Sequence, residues 1–161
     1  MALDLGNRRT IEEPDDFLVR MVANRDGVFV WTQTFDRAFA IDPPRAENHP
    51  WLEPFARLTL DRVSPCRLFI GYFFGDPVAT ALAFLAGPTV GVYGVGTLPT
   101  CRGRGLGTAI TSAAIEWGAR QGAQTAVLSA SELGEPVYRR MGFKTICDTS
   151  QWVVVSPANE A

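Results

Sequence analysis

The chain has 161 residues, 47% of them hydrophobic, with 15 basic against 17 acidic side chains and a formal charge of −2. That length buries one sizeable core and is short for two, so a single domain over 1–161 is expected. The near balance of charge excludes a global field drawing the protein to nucleic acid or an anionic membrane, so any anion site has to be local. Fourteen of the basic residues are Arg, the better fork for phosphates, and Lys144 is the lone Lys. The cysteines, Cys66, Cys101 and Cys147, are odd in number and lack a CxxC or a His cluster. They read as reduced thiols of a cytoplasmic protein, with neither a disulfide frame nor a metal site.

The opening MALDLGNRRTIEEPDDF carries charges throughout and lacks the apolar core of a secretory signal. Pro14, Asp15 and Asp16 before Phe17, Leu18, Met21 and Val22 predict a helix that ends at the turn Asn24-Arg25-Asp26-Gly27. Val28 to Thr34 then reads as a strand. Asp42-Pro43-Pro44 breaks the chain, and Pro50 opens a helix with Trp51, Leu52, Phe55 and Leu58 on its inner face. From Cys66 the pattern shifts to short β-rich runs, Leu68 to Phe74, Val78 to Leu85 and Val90 to Thr97, punctuated by Gly75-Asp76-Pro77 and Gly87-Pro88. No residue between Asp76 and Arg102 is charged, but the glycines at 87, 91, 94 and 96 argue for a buried hairpin over a membrane helix. A helix follows from about Arg104 to Gln121, with Leu106, Ile110, Ala113, Ala114 and Trp117 on one face and Gly122 as its stop. The apolar run Thr125 to Ala130 predicts a strand parallel to the one before the helix, because a helix separates them. Pro136 opens a short helix, Gly142 closes it, and Phe143 to Thr149 with Gln151 to Val155 complete the expected strands.

The chemistry concentrates in VGTLPTCRGRGLGTA, Val95 to Ala109. A helix start leaves backbone N–H groups unpaired and carries partial positive charge, so a strand-loop-helix entry rich in glycine is an anion cradle. Gly103, Gly105 and Gly107 let backbone approach a ligand, Arg102 and Arg104 flank them, and no acid appears on the helix before Glu116. A Walker loop needs Gly-Lys-Ser/Thr and is excluded. The dinucleotide fingerprint G-x-G-x-x-G/A fails too, because its last position falls on Thr108 or Ile110. Glu132 could mimic that fold's ribose-binding acid, but the antiparallel meander argues against it.

Two landmarks carry a family resemblance. Arg102, Gly105 and Gly107 resemble the pyrophosphate motif Q/R-x-x-G-x-G/A of the Gcn5-related N-acetyltransferase (GNAT) superfamily, and PVYRRMGF, Pro136 to Phe143, resembles its Tyr-bearing helix ending in Gly-Phe. The match runs from about Leu68 to Val155. It implies an α+β fold with a mixed, mostly antiparallel sheet of six to seven strands, flanked by helices and splayed at a parallel pair. It divides the chain into a variable acceptor side, 1–63, and an acetyl-CoA-binding core, 64–156. The implied coenzyme contacts are Val95, Thr97, Arg102, Gly103, Arg104, Gly105, Gly107 and Thr108, with Arg139 or Arg140 as further phosphate partners.

The resemblance further implies that an amine attacks the thioester of acetyl-CoA directly. Backbone donors on the strand of Gly94, Val95 and Gly96 would meet the oxyanion, and Tyr138 would protonate the departing thiolate. A general base is not assigned; the candidates are Tyr93 with a water, His49, Glu47 and Glu53. The amine acceptor is unidentified, and a homodimer sharing a sheet stands beside the monomer. A non-catalytic acyl-CoA-binding module is the alternative, ahead of an NAD-type enzyme or a nucleic-acid binder.

Overall fold

A computed structural model describes residues 1–8, 11–12, 14–61 and 63–150. In chain order the elements are β1 (Ala2–Asp4), β2 (Phe17–Met21), α1 (Arg25–Ala38), α2 (Leu52–Leu60), β3 (Cys66–Phe73), β4 (Asp76–Ala86), β5 (Thr89–Thr97), α3 (Leu106–Arg120), β6 (Thr125–Val127) and α4 (Glu135–Met141). Short 3-10 turns at Leu5–Asn7 and Pro99–Cys101 complete them.

The six strands form one sheet in the order β1-β6-β5-β4-β3-β2. All neighbours are antiparallel except β5 and β6. The meander β3-β4-β5 turns at Gly75 and Gly87, whose φ angles of 89° and 55° suit residues without a Cβ. Crossing back through α3 makes β6 parallel to β5, as the intervening helix predicts. That pairing covers only Thr89–Gly91 against Thr125–Val127, so the strands part where β5 runs on from Val92 to Thr97.

On one face α3 and α4 close a core containing Val90, Val92, Leu106, Ile110, Ala114, Ala126, Tyr138 and Phe143. On the other, α1 and α2 close a second cluster of Val28, Trp31, Leu52, Ala56, Leu68 and Ile70. The inner face of α3 is as expected at Leu106, Ile110 and Ala114, while Ala113 and Trp117 are half-buried at its flank.

Five sequence expectations are corrected. The predicted helix after Pro14 is the edge strand β2: Phe17 is buried and Leu18 and Arg20 point outward, the period of a strand. The predicted turn at Asn24–Gly27 starts α1, with the Asn24 side chain capping the amide of Gly27 at 2.8 Å. The predicted strand Val28–Thr34 therefore lies within that helix. Helical spacing puts Val28, Trp31 and Thr32 into the interior, and this burial outweighs their strand propensity. In α2 the inner face is Leu52, Ala56 and Thr59, whereas Trp51 and Leu58 are exposed. Of the predicted strand Phe143–Thr149, one isolated bridge remains, Lys144 to Ala2. The predicted strand Gln151–Val155 lies outside the described residues.

Candidate active site at the mouth of helix α3

The site begins where β5 loses register. Pairing passes from Leu82–Tyr93 to Thr80–Gly96, so Gly94 and Val95 together oppose Ala81: a β-bulge, with Gly94 at φ 57°. Two side chains from neighbouring elements hold it. The Thr80 hydroxyl donates to the Gly94 carbonyl at 2.9 Å, and the Trp31 indole N–H donates to the Ala81 carbonyl at 3.0 Å. The extra residue of a bulge has no ladder partner of its own.

Beyond Thr97 the chain makes its 3-10 turn at Pro99 and enters the glycine loop. Arg102 is spent largely on the loop itself. Its Nε donates to the Thr97 carbonyl at 3.1 Å and its Nη2 to the Ala38 carbonyl at 3.2 Å, tying the loop to the end of β5 and the end of α1. Gly103 and Gly105 have φ angles of 77° and 78°, and a Cβ on Gly103 would meet nothing within 4 Å. Gly105 is the N-cap of α3, with no side-chain cap and no acid in the first turn. A helix start leaves its first N–H groups without partners inside the helix. Those of Leu106, Gly107 and Thr108 therefore lie at the helix start, where the Pro14 ring comes within 3.5 Å of the position of a Cβ on Gly105. An anion is the partner such a mouth accepts, through these N–H groups and the positive end of the helix dipole. The Gly107 and Thr97 positions adjoin: a Cβ on Gly107 would lie 3.5 Å from the Thr97 hydroxyl. Arg104 is exposed, its guanidinium 5.6 Å over the Phe73 ring.

Tyr138 comes from α4, which Gly142 ends in the left-handed conformation at φ 101°. The ring is 8% exposed and packs edge-on to Phe143 at 5.9 Å. Burial pushes its phenol above the ordinary range, and the Thr111 hydroxyl beside it pulls partly back. Thr111 is fully buried and donates to the Gly107 carbonyl at 2.7 Å, so it stands between the helix mouth and Tyr138. Thr111 belongs to neither sequence motif, and its one sequence signal is a hydroxyl among the apolar residues Ala109, Ile110 and Ala114 on the inner face of α3.

The sequence profile of the acetyltransferase (GNAT) family matches residues 22–143, well over half the chain. The chain belongs to that family. It is accordingly an acyltransferase, and its fold recurs in solved structures. An acetyltransferase of Trypanosoma brucei superposes with a TM-score of 0.70 at 19% identity, over 86% of this chain and 100% of that one. One from Clostridium acetobutylicum, solved with acetyl-CoA, gives 0.65 at 20% identity, over 87% and 96%. An aminoglycoside acetyltransferase from an uncultured soil sample, solved with sisomicin, gives 0.72 at 11% identity, over 88% and 97%. No curated protein matches the chain.

The remaining candidate residues have other partners in this GNAT fold. His49 is exposed and its Nδ1 accepts the Trp51 amide at 3.2 Å, a local turn contact. Glu47 and Glu53 pair with Arg25 at 3.4 and 3.3 Å. Arg139 pairs with Glu135 at 2.6 Å and also donates to Thr145. Tyr93, half-exposed beside the bulge, is the ionisable group of that set nearest the parted strands. Among the described residues no helix is long and apolar enough to cross a membrane.

Proposed function

We propose that this GNAT protein is an acetyl-CoA-dependent N-acetyltransferase that transfers the acetyl group to an amine by direct attack on the thioester. The observation carrying the proposal is the uncapped, acid-free mouth of α3 with glycines at 103, 105 and 107, which fits a diphosphate where a side chain would obstruct it. In this reading residues 64–156 hold the coenzyme and 1–63 serve the acceptor side. The N–H groups of Leu106, Gly107 and Thr108 bind the diphosphate, and Arg104 adds charge at the rim. Arg102 holds the loop in shape and Gly103 and Gly105 let it close on the ligand. Backbone groups of Val95 and Thr97 orient the thioester at the bulge, and a backbone N–H of the bulge meets the oxygen that gains charge in transfer.

Tyr138 protonates the leaving sulfur. Burial raises its pKa above the ordinary phenol value, which favours the neutral, protonated phenol that a proton donor needs. The amine attacks as the free base, or passes its proton to a water beside Tyr93. Calorimetry with CoA, alongside free-thiol release from acetyl-CoA over a panel of amines, tests the assignment: binding with thiol release supports it. One specific observation favours a second reading. The Glu47 and Glu53 carboxylates are committed to Arg25, and β5 carries no acid, so an acyl-CoA-binding module without turnover would give CoA binding and no thiol release on any amine.

A further inference from the structure

Among the described residues, the buried threonines Thr32, Thr34, Thr59 and Thr111 each spend their hydroxyl on the carbonyl four residues back in their own helix. Such a bond satisfies the hydroxyl locally and ties nothing else down. Thr80 differs. It lies within β4, is wholly buried, and donates across to β5, to the Gly94 carbonyl at 2.9 Å.

The acceptor lies where β5 holds itself least. Gly94 stands at φ 57° in the bulge, where it and Val95 together oppose Ala81. A side chain at this position meets two obstacles, the left-handed backbone and the α1 rings, since a Cβ would come 3.3 Å from both Phe35 and Trp31. Trp31 does not yield easily: it is buried, and its indole N–H is fixed on the Ala81 carbonyl at 3.0 Å. The packing of α1 thus calls for glycine at the bulge. Glycine, however, restricts its own φ and ψ least of all residues, so the peptide that joins it to Val95 needs a hold from outside the strand. The Thr80 hydroxyl supplies that hold.

The direction of the hold has a chemical consequence. The C=O and N–H of one trans peptide point opposite ways. With the Gly94 carbonyl drawn toward β4, the Val95 N–H of the same peptide points away from β4. On that side β5 pairs with β6 only from Thr89 to Gly91, so the two strands have already parted at Val95. A hollow of about 390 Å³ opens there, with Tyr93 on one wall and Val127, Leu128 and Ser129 on the other.

We propose that Thr80 is a positioning residue for acetyl transfer: through the Gly94 carbonyl it aims the Val95 N–H into the gap between β5 and β6, where that N–H meets the thioester oxygen. The inference rests on the transfer reading above and adds which donor meets the oxygen and what holds that donor. In the transfer the amine nitrogen bonds to the acetyl carbonyl carbon, and an electron pair moves onto the oxygen facing Val95. The pair returns as the carbon–sulfur bond breaks. Sulfur takes the Tyr138 proton and the amine's proton leaves to water, giving the N-acetylated amine and CoA thiol. Thr80 touches no reacting atom and exchanges no proton. It acts on the geometry alone, and its burial keeps water from competing for the hydroxyl.

The test compares Thr80→Val, which keeps the shape and removes the hydroxyl, with the pair Thr80→Ser and Thr80→Ala. Ser retains the hydroxyl and Ala does not, so that pair carries the test should the Val variant fail to fold. Thiol release is measured with the amine that the wild type turns over fastest. Thr80→Val and Thr80→Ala should lower kcat by about 10–10²-fold, as expected for a misaimed oxyanion donor, and Thr80→Ser should stay within about threefold of the wild type. Affinity for CoA by calorimetry should stay within about twofold in all three, a split that a general loss of structure would not give. Infrared spectra of bound acetyl-CoA, isotope-labelled at the carbonyl, read the contact without turnover. The thioester C=O stretch should lie lower on the wild type and Thr80→Ser than on Thr80→Val and Thr80→Ala. Folded variants with wild-type kcat, a kcat loss with no change in the stretch, or equal losses of kcat and CoA affinity each overturn the proposal and leave the transfer reading standing. Binding of CoA to the wild type with no thiol release on any amine overturns the transfer reading, and this proposal with it.

Discussion

The two faces of the sheet meet their helices in opposite ways. On the α3 face the small residue is in the helix: Gly118 lies over Val90, where an added Cβ would come 2.5 Å from that residue's own Cβ. Ala114 and Ile115 beside it are buried. On the α1 face the small residues are in the strand, Gly94 and Gly96, and the helix presents Trp31, Phe35 and Phe39 to them. A helix of small residues locks onto strand backbone at short range, which fixes the mouth at Leu106 relative to the end of β5. An aromatic helix needs room, takes it from strand glycines, and leaves ring edges at the surface. The α3 face is thus the close-packed one, and the α1 face leaves the Phe39 ring half exposed.

The sharpest way to separate the two faces is Tyr138→Phe. Loss of the acid should lower turnover by about 10²–10⁴-fold, while CoA affinity by calorimetry stays within a small factor. With Tyr138 as the proposed acid, burial raises its pKa, so turnover should show no loss from its deprotonation within the ordinary phenol range. Equal losses of turnover and CoA affinity would place Tyr138 in binding instead. On the α1 face, Arg45→Ala should cost about 3–5 kcal/mol of stability by urea titration, because it strands the Asp36 carboxylate in the interior. Arg45 also lies 4.8 Å over Trp51 and 5.6 Å over Phe35, so the loop between α1 and α2 should loosen with it. Gly118→Val tests the close packing of α3 and should cost about 1–3 kcal/mol, since Val90 is backed by the sheet and cannot retreat.

The smallest effect is at Cys66, whose thiol burial pushes up to about 11 from 9.0. At pH 8 a disulfide reagent should label exposed Cys147 and leave Cys66 unreacted. The sign of the linkage follows from the raised pKa. The stabilisation is intact below about pH 9 and is lost as pH rises through 11, so the wild type should lose more Tm between pH 8 and 11 than Cys66→Ala.

The same contrast explains what could be read from the chain alone. Around α3 the signals are local: glycines 103, 105, 122 and 142 all have positive φ, and each marks a loop or a helix end without help from distant residues. The meander, the long helix, the parallel return and the bulge at Gly94 followed from such marks. On the α1 side the signals conflict. Val28-Phe29-Val30-Trp31-Thr32 has the composition of a strand, and only the cap at Asn24 and burial against Leu68 and Ile70 settle it as helix. Pro14-Asp15-Asp16 resembles a helix start, yet Asp16 turns at φ 58° and hydrogen-bonding to β3 makes the next residues a strand. Within the site, the glycine loop and Tyr138 were legible from motif and spacing. The tie from Arg102 to the Ala38 carbonyl and the proximity of Thr111 to Tyr138 depend on elements brought together only by folding.

The most direct test is calorimetry of CoA with the wild type and with Gly105→Glu, whose side chain would enter the mouth of α3 with an anion's charge. With circular dichroism showing both proteins folded, the wild type should bind CoA and the variant should not. A folded Gly105→Glu protein with wild-type affinity for CoA would contradict the placement of the coenzyme at this helix.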